Sequence, residues 1–233
     1  MTSGAFPLPP LTPERRHAVE RAVAALRRGE IIACPTETLP GLGVDPFQPL
    51  AVERLRRLKG RDGDKGFIVL IPEPAALTGL TRPPSSTARR LMERFWPGPL
   101  TLVLPAALEA PAWIQGPEGG VAVRWSPAPL VQALLSAWGG PLVSTSANPA
   151  GHPPAVSAEE IRRRWSVDQV AEVLTLGENG EDSATSAAPS TVVSLLEEPM
   201  RLVREGVIPW SALWDALALP SSSSLSSSSP ASR

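Results

Sequence analysis

Residue types that often carry catalytic chemistry are scarce in this chain of 233 residues, which has one cysteine, two histidines and no tyrosine. A lone cysteine cannot close an internal disulfide, and Cys34 lies in the apolar run 31–34, which predicts a buried, inert thiol rather than a nucleophile. His17 and His152 have no cysteine near them, so neither a zinc site nor a Ser/His/Asp triad is expected. An enzyme of this composition should work by holding its substrates in place.

Long apolar runs are also missing, because no stretch approaches the roughly 18 to 20 apolar residues that span a bilayer. Residues 1–10 lack the basic start and apolar middle of a secretory signal, so we expect a soluble cytoplasmic protein without membrane contact. The net charge of -1 gives the chain as a whole no electrostatic preference for nucleic acid, which leaves only a local basic groove open. With 42% apolar residues, the chain can bury the core of one domain.

The order of apolar segments predicts short strands that alternate with amphipathic helices. A helix begins at Thr12 and Pro13 and ends at Gly29. Further helices are predicted over 51–58, 85–95, 127–138, 157–165 and 207–219. Strands are predicted over 30–35, 66–71, 100–104, 121–125, 141–148, 171–176, 190–196 and 200–205. This alternation, with some hairpin-like stretches, predicts one α/β domain over residues 1–219 with a mixed sheet.

Two segments lack a periodic pattern. Residues 177–190 are polar and irregular, which predicts a mobile loop. From residue 220 onward the chain is almost pure serine, which buries too little surface to offset the entropy of ordering, so the tail 220–233 is predicted to be disordered.

Small polar residues follow four of the predicted strands, in IIACPTET, VAVRWS, PLVSTSAN and PSTVVS. In α/β sheets, ligands bind outside strand ends, where loops present hydroxyls and amides to a crevice. Each such residue taken alone is typical of a turn or a helix cap. Because the pattern recurs, we infer a site for a polar or anionic small molecule, with candidate ligands Thr36, Thr38, Ser144, Thr145, Ser146, Asn148, Ser190 and Thr191.

The basic residues suggest where an anion would bind. Only Lys59 and Lys65 are lysines among 22 basic residues, and both lie in LKGRDGDKG with Arg61. This pairing reflects either a cation cluster or an arginine-rich coding bias. Arg124 lies between apolar neighbours and Arg204 follows the apolar pair 202–203, so each either faces solvent, pairs with a glutamate, or clamps phosphate or carboxylate oxygens. The phosphate loops Gly-x-x-x-x-Gly-Lys-Ser/Thr and Gly-x-Gly-x-x-Gly are both missing.

Seven stretches, taken together, resemble the successive motifs of the YrdC-like threonylcarbamoyl-AMP synthase family. In chain order they are PTETLPGLGVD, LKGRDGDKGFIVLI, RFWPGPLTLVLP, VAVRWSPAPL, PLVSTSANPAGHPPA, PSTVVSL and RLVREG, and the resemblance as a whole covers roughly residues 14–210. The resemblance is to the short, single-domain bacterial form. It implies a twisted mixed α/β sheet with helices around a large concave, positively lined cavity.

The resemblance also implies an activity, the condensation of L-threonine, bicarbonate and ATP into threonylcarbamoyl-adenylate with release of pyrophosphate. Mg²⁺ would arrive with ATP rather than occupy a metal site of the protein. Separate partner proteins would then transfer the threonylcarbamoyl group to an adenosine of tRNA. Such a reaction needs positioned cations and no protein nucleophile.

Site residues follow from the matched motifs. Lys59 and Arg61 would contact the ATP phosphates as the catalytic cations, with Lys65 beside them. Ser144, Ser146, Asn148 and Arg204 would hold the nucleotide. Threonine, or the carbamate formed from it, would bind Thr36, Thr38, Arg124 and Ser190. Gly41 and Gly43 would let the backbone approach the ligand closely.

The chain departs from the family pattern at four positions. Many relatives carry an aromatic residue at Pro40 and aspartates at Glu37 and Ser194, and some place a substrate-contacting histidine at Leu70. None of these changes removes a phosphate-binding cation.

Two other functions stay open at this point. The cavity of an RNA-binding module could hold tRNA or rRNA without turnover, although the basic stretches RRLKGR and IRRRW are not interleaved with aromatic residues and also fit solvated helix faces. A hydrolase or carbamoyl-transfer enzyme could use the same cavity on another acyl-adenylate.

Overall fold

The computed structural model describes residues 11–60, 66–175 and 188–218. Arg61, Lys65, the greater part of the predicted loop 177–190 and the serine tail 220–233 lie outside these described residues.

All six predicted helices are found within a few residues of their expected bounds. The side chains of Thr12, Ser85 and Ser157 accept a hydrogen bond from the first helical turn, and Gly29 and Gly139 take positive φ just after a helix. Within the described residues, no helix combines the length and the apolar character needed to cross a bilayer. The helices are α1 Pro13–Arg27, α2 Pro49–Lys59, α3 Ser86–Phe95, α4 Pro129–Trp138, α5 Ala158–Arg164 and α6 Trp210–Ala218.

In the described part of the chain, nine strands form one mixed sheet, which confirms the predicted fold class. The strands are β1 Ile32–Cys34, β2 Gly41–Val44, β3 Ile68–Leu70, β4 Leu100–Pro105, β5 Gly120–Arg124, β6 Leu142–Ser146, β7 Glu172–Val173, β8 Thr191–Ser194 and β9 Arg201–Arg204. Their order across the sheet is β7-β1-β2-β6-β3-β5-β4-β8-β9. The pairs β1–β7, β3–β5 and β4–β8 are parallel, and the others are antiparallel.

Strand β2 was not predicted, because its glycines resemble a turn. It pairs antiparallel with both β1 and β6. A Cβ added to Gly43 would lie 3.0 Å from both Cδ2 of Leu142 and the carbonyl oxygen of Val143. Because Gly43 has no side chain, β6 can pack closely against it. The sequence instead predicted that this glycine would let the backbone approach a ligand.

Alternate residues of the central strands face different layers of the structure. Val69 of β3 packs into the core formed with α2, α3 and α6, whereas Leu70 packs with α1 and α4 on the other face. Each fully buried side chain of this size contributes about 1.5–3 kcal/mol. The helices α1 and α4 cover this second face only around β1, β6 and the end of β3. Beyond them, no helix of the described residues covers the same face, and this open part forms the cavity described next.

Candidate active site

A cavity of about 1000 Å³ lies over the open face of the sheet. This volume is large enough for a nucleotide-sized ligand. The strand register places one residue from each of six neighbouring strands side by side along its floor. We call this set the floor row: Ser144, Ile68, Ala122, Val103, Ser194 and Arg201.

The floor row is apolar in its centre and polar at both ends. Its five strand-to-strand steps, at about 4.8 Å each, extend about 24 Å along the sheet. The sequence placed the site outside strand ends, but the structure extends it across the middle of the strands. The physical reason is the missing helical layer, which leaves mid-strand residues such as Ala122 exposed to the cavity.

Arg124 is buried in the cavity wall at 5% exposure and pairs with Glu37. Its Nη2 donates to Oε1 of Glu37 at 2.7 Å, and Oγ of Ser126 donates to the other carboxylate oxygen. Nε of Arg124 is also buried and has no hydrogen-bond partner among the described residues. The guanidinium is thus held in place by Glu37 but not fully satisfied, an arrangement that favours an anionic ligand against it.

Thr36 and Thr38 line the cavity and hydrogen-bond to each other. The single hydroxyl proton of Thr36 goes to the carbonyl of Leu39 at 2.8 Å. Thr38 must therefore donate in the 3.0 Å contact between the two hydroxyls. The Thr38 oxygen keeps lone pairs for a ligand, so it can accept a hydrogen bond from an amine.

Ser190 and Arg204 lie together near the other end of the cavity. Arg204 donates from Nη2 at 2.9 Å and from Nε at 3.2 Å to the carbonyl of Ser190. The Ser190 hydroxyl lies 2.9 Å from that of Thr101. A Cβ on Gly206 would lie 2.1 Å from the carbonyl oxygen of Pro189, so this close return of the chain requires glycine.

Lys59 is 1% exposed and organises the turn after β6. Its Nζ donates to the carbonyl of Ser146 at 2.5 Å and to Oδ1 of Asn148 at 3.0 Å. Asn148 in turn donates to the carbonyl of His152 at 2.7 Å. Of the residues predicted to hold the nucleotide, Ser144 and Ser146 line the cavity, but Lys59 and Asn148 do not. Their contact with ATP stays a prediction.

Gly41 leaves space for the hydroxyl of Ser144. A Cβ on Gly41 would lie 2.5 Å from Oγ of Ser144, so a side chain there would displace this hydroxyl. Gly41 also lines the cavity itself, and its close approach to a ligand stays a prediction.

The structure adds site residues that the sequence did not identify. Glu37 was noted only as a departure, and Ser126 not at all, yet Glu37 holds Arg124 and Ser126 donates to the other oxygen of Glu37. Glu118 and Arg201 form an ion pair at the cavity rim. The neighbouring apolar residues of VAVRW indicated that Arg124 needs a partner, but no local pattern pointed to the rim pair.

The described residues contain no group of three or more His, Cys, Asp or Glu side chains that could hold a metal ion. Glu118 is the one carboxylate among the described residues lining the cavity, and Arg201 occupies it. The described residues that line the cavity thus offer no set of donors that would hold Mg²⁺ by itself, and Mg²⁺ that enters with nucleotide phosphates stays a prediction.

A family profile, Sua5_yciO_yrdC, with the description "Telomere recombination", matches residues 24–206. The chain belongs to this family. Because the match covers most of the chain and every strand of the sheet, membership rests on the whole fold and not on one motif.

This Sua5/YciO/YrdC chain is similar to the following named proteins and solved structures. It is 47% identical over 148 residues to the threonylcarbamoyl-AMP synthase of Stenotrophomonas maltophilia, a match covering 63% of this chain and 80% of the relative. The P. abyssi Sua5 structure complexed with L-threonine superposes with a TM-score of 0.80 at 32% identity, covering 89% of this chain and 59% of that one. E. coli YciO superposes with a TM-score of 0.74 at 28% identity, covering 86% and 94%.

Three departures from the family pattern have clear positions in this Sua5/YciO/YrdC member. Leu70 lines the cavity and extends its apolar floor, and Ser194 lies in the floor row. The carbonyl of Pro40 accepts a hydrogen bond from the backbone amide of Ala147 at 3.0 Å, which ties the first loop to the turn after β6.

Proposed function

We propose that this protein is a threonylcarbamoyl-AMP synthase. The observation that carries the proposal is the buried, incompletely satisfied guanidinium of Arg124, held in the cavity wall by Glu37. Relatives named for this activity and a related structure that contains L-threonine support the same conclusion.

Threonine binds in the centre of the cavity in this proposal. Its carboxylate pairs with Arg124, in a site where low water access strengthens the attraction. Its amine donates a hydrogen bond to the Thr38 hydroxyl, which itself donates its proton to the Thr36 hydroxyl. Ser190, held by Thr101 and Arg204, binds the carbamate that forms next.

The chemistry requires two steps. The neutral amine of threonine attacks bicarbonate, forming a C–N bond and releasing water, which yields a carbamate. A carbamate oxygen then attacks the α-phosphate of ATP, the bond to the β-phosphate oxygen breaks, and pyrophosphate leaves. The protein contributes orientation and fixed positive charge, and neither step requires a covalent bond to the protein.

ATP lies along the polar parts of the cavity. Ser144, Ser146 and Arg204 contact the nucleotide directly, and Lys59 and Asn148 fix the turn that presents Ser146. Arg61 and Lys65, which lie outside the described residues, are proposed as further phosphate contacts. Mg²⁺ accompanies ATP as part of the substrate.

In this proposal the product is the substrate of a later reaction. Threonylcarbamoyl-adenylate is a mixed anhydride, so partner proteins can transfer its acyl group to an adenosine of tRNA. We propose that the protein acts in the cytoplasm, where it would meet these partners.

Pyrophosphate release tests the proposal directly. The purified protein is incubated with ATP, Mg²⁺, L-threonine and bicarbonate, and each substrate is omitted in turn. Release should require both threonine and bicarbonate. Arg124→Gln should abolish this release, whereas Arg163→Gln, at an exposed ion pair on α5, should not. Salt-sensitive RNA binding without any ATP consumption would overturn the proposal in favour of an RNA-binding module.

A further inference from the structure

Strand β9 contains a β-bulge that changes which residues face the cavity. Arg201 lies opposite Ser194, Leu202 opposite Val193, and Arg204 opposite Val192, so Val203 is the extra residue. In a regular strand, side chains at positions 201 and 204 would point to opposite faces of the sheet. With the bulge, both arginines line the cavity. The bulge therefore brings a second guanidinium to the same end of the site.

Arg201 is the last residue of the floor row and pairs with Glu118 across the cavity rim. Its Nη2 donates to both carboxylate oxygens of Glu118, at 2.8 Å and 2.6 Å. In the described part of the chain, Nε and Nη1 of Arg201 make no hydrogen bond. Arg201 thus has donors left for a ligand while Glu118 holds it at the rim.

The ion pair between Arg201 and Glu118 can be replaced by a contact between Arg201 and a ligand at a low cost in free energy. The side chains of Arg201 and Glu118 are 59% and 58% exposed, so water screens their attraction. A phosphate carries more charge than one carboxylate and also meets Arg204 on the same strand face. A phosphate inside the cavity should therefore displace Glu118 from Arg201.

We propose that Arg201 is an additional binding residue for the phosphate chain of the nucleoside triphosphate, and that Glu118 restrains it until the nucleotide arrives. This inference rests on the proposed function, because it takes the cavity as the nucleotide site. In this inference Glu118 opposes nucleotide binding, because its negative charge competes with the phosphates for Arg201.

The two members of the pair then have opposite effects on nucleotide affinity. Arg201→Gln should weaken ATP binding roughly tenfold, because it removes a charge-assisted contact. Glu118→Gln should tighten it about two- to fivefold, because it removes the competitor. Arg201→Lys, which keeps the charge but not the planar fork, should fall between the wild type and Arg201→Gln.

Calorimetric titration with MgATP at several salt concentrations measures these affinities. Arg163→Gln and Glu159→Gln, at a similarly exposed ion pair on α5, are the matched controls and should leave the affinity unchanged. Titration with adenosine separates a phosphate contact from a nucleoside contact, because Arg201→Gln should not change adenosine affinity. Thermal unfolding of each variant checks that the fold is intact.

The outcomes separate this inference from the proposed function. If Arg201→Gln and Glu118→Gln shift ATP affinity in the same direction, or not at all, the inference is overturned and the synthase proposal is untouched. A wild-type protein that binds no ATP overturns both. If ATP binds with the expected variant effects but no pyrophosphate is released with threonine and bicarbonate, the synthase proposal fails and the role of Arg201 stands.

Discussion

The carboxylate of Glu37 bridges Arg124 and Ser126, two residues that lie 87 and 89 positions further along the chain. The side chains of Glu37 and Arg124 are only 14% and 6% exposed. A loop that follows β1 therefore fixes the orientation of a guanidinium at the end of β5.

Glu37→Gln should weaken threonine binding roughly tenfold, because an amide holds Arg124 less firmly than a carboxylate does. We expect the free energy of unfolding to fall by about 1–3 kcal/mol, since a buried charge loses its ionic partner. Calorimetry with threonine and urea unfolding measure the two effects. ATP affinity should stay constant, and Glu159→Gln is the control on an exposed pair. Unchanged threonine affinity in Glu37→Gln would show that Glu37 does not position Arg124.

Lys59 should act on the nucleotide through Asn148 and the turn it organises. We expect Lys59→Met and Asn148→Ala each to weaken ATP binding, by roughly tenfold. Because both act on the same turn, the double variant should be only slightly worse than either single one. A thermodynamic cycle built from ATP affinities checks this coupling. Additive effects would instead indicate that Lys59 contacts the phosphates independently.

Gly41→Ala should weaken nucleotide binding roughly 5- to 30-fold, on the order of 1–2 kcal/mol, because the added methyl group displaces the Ser144 hydroxyl. Gly116→Ala is the matched control. It also adds a methyl group at the cavity, but its Cβ would meet nothing closer than 3.8 Å. ATP titration of both variants measures the difference. Equal affinities would mean that Ser144 is not a nucleotide ligand.

Cys34 should be inert in the native protein. Burial raises the pKa of its thiol, so the reactive thiolate does not form at neutral pH. The unfolded chain loses this proton first as pH rises through the ordinary range of a thiol, so this residue lowers stability at high pH. Mass spectrometry after alkylation at pH 8 should show modification only in denaturant. Rapid alkylation of the folded protein would contradict the burial of Cys34.

The sequence predicted most helices and strands correctly because their signals are local. The hydroxyls of Thr12 and Ser85 mark helix starts, and the apolar run of β3 marks a buried strand. Strand β2 was missed because the reason for its glycines, the close approach of β6, lies about a hundred residues away in the sequence.

The candidate site was only partly visible from the sequence. The recurrence of serines and threonines beside apolar segments predicted a polar cavity, and Thr36, Ser144 and Ser190 do line it. The burial of Lys59 and the pairing of Arg124 with Glu37 depend on long-range contacts. The orientation of Arg201 depends on a bulge, and one extra residue in a strand has no signature in the pattern of side chains.

The side chains of Ile68, Val69 and Leu70 point alternately to the two faces of the sheet, so packing and ligand binding constrain different residues of the same strand. Val69 belongs to the helix-covered core, whereas Ile68 and Leu70 reach the ligand cavity. A substitution at Ile68 or Leu70 therefore alters the cavity without repacking the core around Val69. Substitutions at the cavity-facing positions of such a strand can change which ligand the cavity binds, while the intervening core positions preserve the fold.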